Sequence, residues 1–320
     1  MRAYGWFGLL LLLFSEFCLF RNIEPFHSWF YCFAWWSYLL LADNLLLKLR
    51  GRSLFTSRRS ELWRMLPLSV FIWLLFEGYN LVLRNWGYEG VVSNIWIRWP
   101  GYALAFATVL PGIFITSDLI EHFLFAGRSE TNASECETLL DAPRVGRSRL
   151  FMVLGAFLSL APLVWPRYFF PAVWVGPIFL LDPLLEKFGR RSLSLSIADK
   201  NRQRVYSLLL GGLACGLMWE FWNFWAASKW IYTVPFFTEL KVFEMPVLGF
   251  LGFPPFALEC WILYHLLSAL YHRLSRTLAR FVFWLLIALA CIVLLRSIDR
   301  HTVRQFACHP QRSIGLWPLG

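Results

Sequence analysis

Nine stretches of this 320-residue chain are apolar over close to the length a bilayer core demands, and no other feature limits its fold so tightly. They fall near residues 5–20, 28–49, 65–84, 101–125, 150–166, 169–187, 205–227, 247–271 and 280–296. Hydrocarbon offers backbone N–H and C=O groups no partner, so each run is expected as a helix that satisfies them internally. With 58% hydrophobic and only 16% charged residues, against roughly 25% charged in soluble domains, the reading is an all-α, polytopic membrane helix bundle of about nine helices. Prolines inside the runs that start at 101 and 247 forecast kinked or re-entrant segments there.

The net charge of +10 suggests nucleic acid at first, but the basic residues crowd into short connectors beside apolar runs. Lys48, Arg50, Arg52, Arg58, Arg59 and Arg64 join the second run to the third; Lys187, Arg190, Arg191, Lys200, Arg202 and Arg204 join the sixth to the seventh. The positive-inside rule puts both connectors in the cytoplasm, and an N-terminus inside makes the basic connectors 128–149 and 272–280 cytoplasmic too. The expectation is a multi-pass protein of the cell inner membrane, with the lipid bilayer and a hydrophobic small molecule as partners and no nucleic acid. Arg300, Arg304 and Arg312 conflict with that topology unless the last run fails to cross. The segment from Gly5 to Phe20 reads as a retained first helix, and the sequon Asn132-Ala-Ser134 falls on the cytoplasmic side.

Seven scattered cysteines show no C-x-x-C pair and no zinc spacing. No Walker A, G-x-S-x-G, H-E-x-x-H or paired D-x-x-x-D motif occurs, so no cofactor and no metal are expected. His122 and His265, though matched in position, sit too far along their helices to join the buried acids as ligands.

An internal duplication organises the chain at an offset of about 140 positions. Asp43-Asn-Leu-Leu-Leu-Lys48 matches Asp182-Pro-Leu-Leu-Glu-Lys187; Glu77 and Asn80 match Glu220 and Asn223; Trp86 and Tyr88 match Trp230 and Tyr232; Pro111 matches Pro254. The expected plan is a tandem duplication of a four-helix unit plus one C-terminal helix: residues 1–127, a cytoplasmic linker 128–149, residues 150–273, and a final helix and tail 274–320. Two copies in one orientation are related by an axis along the membrane normal. Asp43 and Asp182 are expected to pair with loop arginines.

Chemistry is sought where carboxyls lie in oil. A charged group at that depth costs on the order of 3 kcal/mol on insertion scales, so it faces a bundle interior or cavity. Glu77 and Glu220 each stand three residues before an asparagine on the same helix face. Glu259, which has Thr116 at its counterpart position, is expected to return to the depth of Glu220, so that two carboxyls share a site and one is held as a general acid. Candidate catalytic residues are therefore Glu220, Glu259 and Glu77; candidate substrate-binding residues are Asn80, Asn223, Trp219, Trp222, Trp230 and Tyr232, whose aromatic faces can stabilise a cation.

Trp219-Glu-Phe221 resembles the W-E-F/L segment of integral-membrane terpene cyclases of the meroterpenoid type, over about four residues. Glu244-Met-Pro246 resembles, in reversed order, the P-x-E of carotenoid-type membrane cyclases. The resemblance implies an intramembrane acid at Glu220 that starts cyclisation, with Glu259 or Glu77 assisting. Helix number and the tandem plan depart from that family. The functional expectation is an integral membrane enzyme using intramembrane carboxylates for acid catalysis on an isoprenoid or lipid substrate; a proton-coupled carrier and a non-catalytic assembly factor are the alternatives.

Overall fold

The computed structural model describes residues 2–125, 145–190, 192–198 and 202–305, with the backbone alone for 145–148. Helices α1 (Ala3–Phe20) and α2 (Phe26–Arg50) pack antiparallel, α3 (Arg59–Leu83) leads into a short strand β1 (Trp86–Glu89), and α4 (Ile95–Phe106) and α5 (Val109–Phe125) return along the bundle. The second series has α6 (Val145–Val164), then a leg broken into α7 (Pro166–Phe169), a 3-10 turn (Phe170–Trp174) and α8 (Gly176–Lys187). It continues with α9 (Leu193–Ala198), α10 (Gln203–Trp225), β2 (Lys229–Tyr232), the two-residue strands β3 (Lys241–Val242) and β4 (Met245–Pro246), a 3-10 stretch (Val247–Gly252) and α11 (Phe253–Arg273). Last comes α12 (Thr277–His301).

Eight helical segments are long and apolar enough to cross a membrane, and in α6 the apolar part is the shorter Arg149–Val164. The chain is a nearly all-α, multi-pass bundle. Helix α12 packs on α3 and leaves Leu278, Phe281, Leu286 and Val293 exposed, as suits a helix at the lipid-facing periphery.

The expected breaks have specific causes. Between α4 and α5 the Ser69 hydroxyl of α3 enters the helical ladder, donating to Phe106 O at 2.6 Å while accepting from Leu110 N at 3.0 Å. An inserted side chain replaces the direct i to i+4 bond and turns the axis. Pro111 stands in the first turn of α5, and Pro254 and Pro255 open α11, where a missing N–H costs nothing.

Among the described residues, neither Asp43 nor Asp182 pairs with a loop arginine. Asp43 accepts from the Tyr4 hydroxyl and from Phe55 N; Asp182 accepts from Leu193 N and Ser194 N. Each carboxylate closes the turn beyond its helix by bonding backbone amides, which a connector that reverses direction leaves unpaired.

The sequence reading held helices only, whereas β1 and β2 form an antiparallel ribbon with Trp86 opposite Tyr232, Gly87 opposite Ile231 and Tyr88 opposite Trp230. Beyond α12 the chain bonds the other edge of β1: Tyr88 N donates to Thr302 O at 2.9 Å and Arg304 N to Tyr88 O at 3.0 Å. Helix α12 therefore crosses the bundle, with Arg300 in its last turn and Arg304 at the strand end, where it pairs with Glu89. Arg312, the sequon at Asn132 and most of the linker 128–149 fall outside the described residues.

Candidate functional site

Two similar units face each other across the ribbon. Helix α3 ends at Arg84 with a left-handed φ of 52°, and Asn80 takes over the turn. Its Oδ1 accepts from Asn85 N at 2.8 Å and Trp86 N at 3.2 Å, while its Nδ2 donates to Trp86 O at 2.9 Å. In the second unit Asn223 Nδ2 donates to Trp230 O, and Asn223 Oδ1 accepts from Trp230 N, both at 2.9 Å. The two amides hold strand backbone, and so fix where the aromatic residues of the strands point.

Those aromatics reach back to the acids. Glu77 Oε1 accepts from the Tyr88 hydroxyl at 2.5 Å and from Trp86 Nε1 at 3.0 Å. Glu220 Oε1 accepts from the Tyr232 hydroxyl at 2.7 Å, and Trp230 Nε1 donates to the Tyr232 oxygen at 2.9 Å. Glu77 and Glu220 are 1% and 0% exposed, and the second oxygen of each has no hydrogen-bond partner among the described residues. Burial, and after it the adjoining carboxyl, hold the Tyr88 and Tyr232 hydroxyls well above the usual phenol range.

Between the units lies a cavity of about 200 Å³ whose wall is overwhelmingly apolar and aromatic. Trp73, Trp86, Tyr88 and Tyr102 contribute from the first half, and Trp174, Trp219, Trp230, Tyr232 and Phe256 from the second. Phe76 and Trp174 stack at 5.5 Å, and Trp219 meets Phe256 at 5.9 Å. Arg98 also reaches the wall, already bonded through Nε and Nη2 to Asp299 at 2.9 and 2.7 Å.

The carboxyls themselves do not meet in this cavity. None of Glu77, Glu220 and Glu259 lines it; the first two stand behind the tyrosines that do. Glu259 is 0% exposed on α11, and neither of its oxygens has a hydrogen-bond partner among the described residues. The expected pairing of Glu259 with Glu220 is thus not seen. Of the residues expected to bind substrate, Trp219, Trp230 and Tyr232 line the cavity; Trp222 packs against Trp35 at 5.2 Å, and the two asparagines are engaged by the strands. Glu244 forms an ion pair with Lys229 at 2.9 Å.

Trp73, Trp86, Tyr88, Tyr102 and Trp174 are wall residues that the sequence reading did not place at a site. For Trp86 and Tyr88 a signal existed in their match to Trp230 and Tyr232; Trp174 carried none. No family model matches the chain, and no curated protein or solved structure is significantly similar to it. The resemblance at Trp219–Phe221 therefore rests on those residues alone.

Proposed function

We propose that this protein binds the unsaturated end of an isoprenoid or similarly apolar lipid in the aromatic cavity and converts it by proton transfer, with Tyr232 as the group at the substrate. The observation that carries the reading is that Glu77 and Glu220 each end on a tyrosine hydroxyl belonging to the wall of one shared cavity. In its acid form Glu220 donates to the Tyr232 oxygen while the Tyr232 proton passes to a substrate double bond. Glutamate loses one proton, tyrosine is unchanged, and the substrate becomes a cation. The indole faces of Trp219, Trp230 and Trp73 stabilise that positive charge, by about 2 kcal/mol each when desolvated. Loss of a proton from the cation returns the acid. General acid transfer of this kind is worth typically 10²–10⁴-fold in rate. Glu220 is a positioning and proton-supplying residue in this scheme and does not touch substrate.

The test is to incubate the purified protein, in nanodiscs prepared in D₂O, with a mixture of prenyl alcohols and linear polyenes and to analyse products by mass spectrometry. The expected result is one product carrying carbon-bound deuterium, lost in Tyr232→Phe and in Glu220→Gln. Tight binding with no deuterated product in any protein would overturn the catalytic reading, as would pH-coupled flux of an unaltered substrate.

A further inference from the structure

A cavity of about 200 Å³ lies below the roughly 300–1,000 Å³ of drug-sized ligand sites, so a long-chain molecule bound there must extend beyond it. A second cleft shows where. It lies among α1, α2 and α4, and its lining includes Leu11, Phe33, Trp36, Ile97 and Leu104, with no charged side chain among the described residues. Trp29, Cys32 and Gly101 belong to the walls of both the cleft and the cavity. Ile97 and Leu104 are about half exposed, and all three helices belong to segments apolar enough to cross a membrane, so the outer side of the cleft faces lipid hydrocarbon.

The boundary between the two spaces is thin. Trp29 departs from helical geometry within α2, at φ −114° and ψ 16°, and its ring lies so close on Gly101 that a Cβ there would come within 1.7 Å. Cys32, one turn further, is 3.8 Å from Gly101 O. Below them Trp36 Nε1 bonds Leu104 O at 3.2 Å and ties α2 to α4. The Trp29 indole on Gly101, with Cys32 beside it, thus stands between the lipid-facing cleft and the aromatic cavity.

We infer that this cleft is a lateral doorway from the bilayer, with Trp29 as its leaf, and that it holds the remaining hydrocarbon of a membrane-dissolved prenyl chain whose reacting double bond occupies the cavity. The inference deepens the proposed function by fixing the substrate as a linear chain drawn from the membrane. The apolar lining excludes a charged headgroup from the passage, so the polar end of such a molecule either enters first as a neutral group or stays behind.

The experiment uses the full chain in nanodiscs containing a diazirine-bearing long-chain prenyl alcohol, photolysed and mapped by peptide mass spectrometry. In the unaltered protein the label is expected on peptides carrying Trp36 and Leu104 and on those carrying Trp73, Phe106 and Trp219. Trp29→Ala is expected to raise labelling of the cavity peptides several-fold, and Cys32→Phe, which adds a ring at a residue shared by both walls, to reduce it several-fold. Labelling of Phe281 and Leu286 on the lipid face of α12 should stay constant and reports that each variant is folded in the bilayer. Equal cavity labelling in all three proteins, or none in Trp29→Ala, would overturn the doorway. Labelling that follows the doorway variants without any deuterated product would overturn the catalytic reading alone; product formation undiminished in Cys32→Phe with unchanged labelling would overturn the doorway alone.

Discussion

The two acid-and-strand units share their residues but not their wiring. In the first, the carboxyl of Glu77 takes both the Tyr88 hydroxyl and the Trp86 indole N–H. In the second, the Trp230 N–H goes instead to the Tyr232 oxygen, leaving Glu220 with one donor. The strands differ likewise: β1 is mostly buried and bonded on both edges, by β2 and by the chain after α12, whereas β2 is only half buried and has β1 as its ladder partner. Like residues in unlike settings separate scaffold from working part: the first unit is the more fully satisfied, and the second keeps the hydroxyl that the proposed chemistry uses.

Substitution of the acids should break or sharpen this contrast most strongly. Glu220→Gln is expected to reduce turnover roughly 10²–10⁴-fold, while Glu77→Gln should reduce it far less and lower the melting temperature more; equal losses of turnover, measured as deuterated product, would erase the distinction. Next in size is the clamp that joins α12 to the first unit. Asp299 accepts from Arg98, Trp99 and Tyr102, and Arg98 is only 7% exposed. Removing one partner of a buried pair costs about 3–5 kcal/mol, so Asp299→Ala should lower the free energy of unfolding by about that amount, read from denaturant titration.

The asparagines offer a paired comparison. Asn80→Ala strands three backbone groups and Asn223→Ala two, at about 1–3 kcal/mol per unsatisfied buried group; the first should be the more destabilising. The smallest effect concerns alkaline pH. The folded-state hydroxyls of Tyr88 and Tyr232 are raised above the ordinary value of 10.0. Above pH 10 the folded chain therefore holds protons the unfolded chain has released. Their contribution to stability is full below pH 10 and declines as pH rises through the folded values. Tyrosinate absorbance at pH 10 should be the same in Tyr88→Phe and Tyr232→Phe as in the unaltered protein, because neither hydroxyl has ionised there; a loss of absorbance in either variant would contradict the burial described.

The helices were legible in the sequence because length and hydropathy decide them, and Glu77 and Glu220 stood out because carboxyls in such runs are rare. What the acids bond was harder to read. The pairing of Trp86 and Tyr88 with Tyr232 and Trp230 crosses more than a hundred residues through strands of only four, too short for any periodicity to announce. Asp299 and Arg98 are similarly remote, and depth along a helix, the measure used for Glu259, says nothing about the direction in which a side chain leaves it. Asp43 and Asp182 were assigned to nearby cations by charge alone, whereas the unpaired amides of each reversing turn were the nearer demand.

The register of the ribbon has a last consequence. Trp86 faces Tyr232 and Tyr88 faces Trp230, about a centre where Gly87 meets Ile231, so exchanging the two strands carries one aromatic pair onto the other. Such a junction is isologous, the kind formed by identical subunits about a dyad. Each half thus offers the other the same pair of aromatic side chains, and the seam between them is one contact made twice.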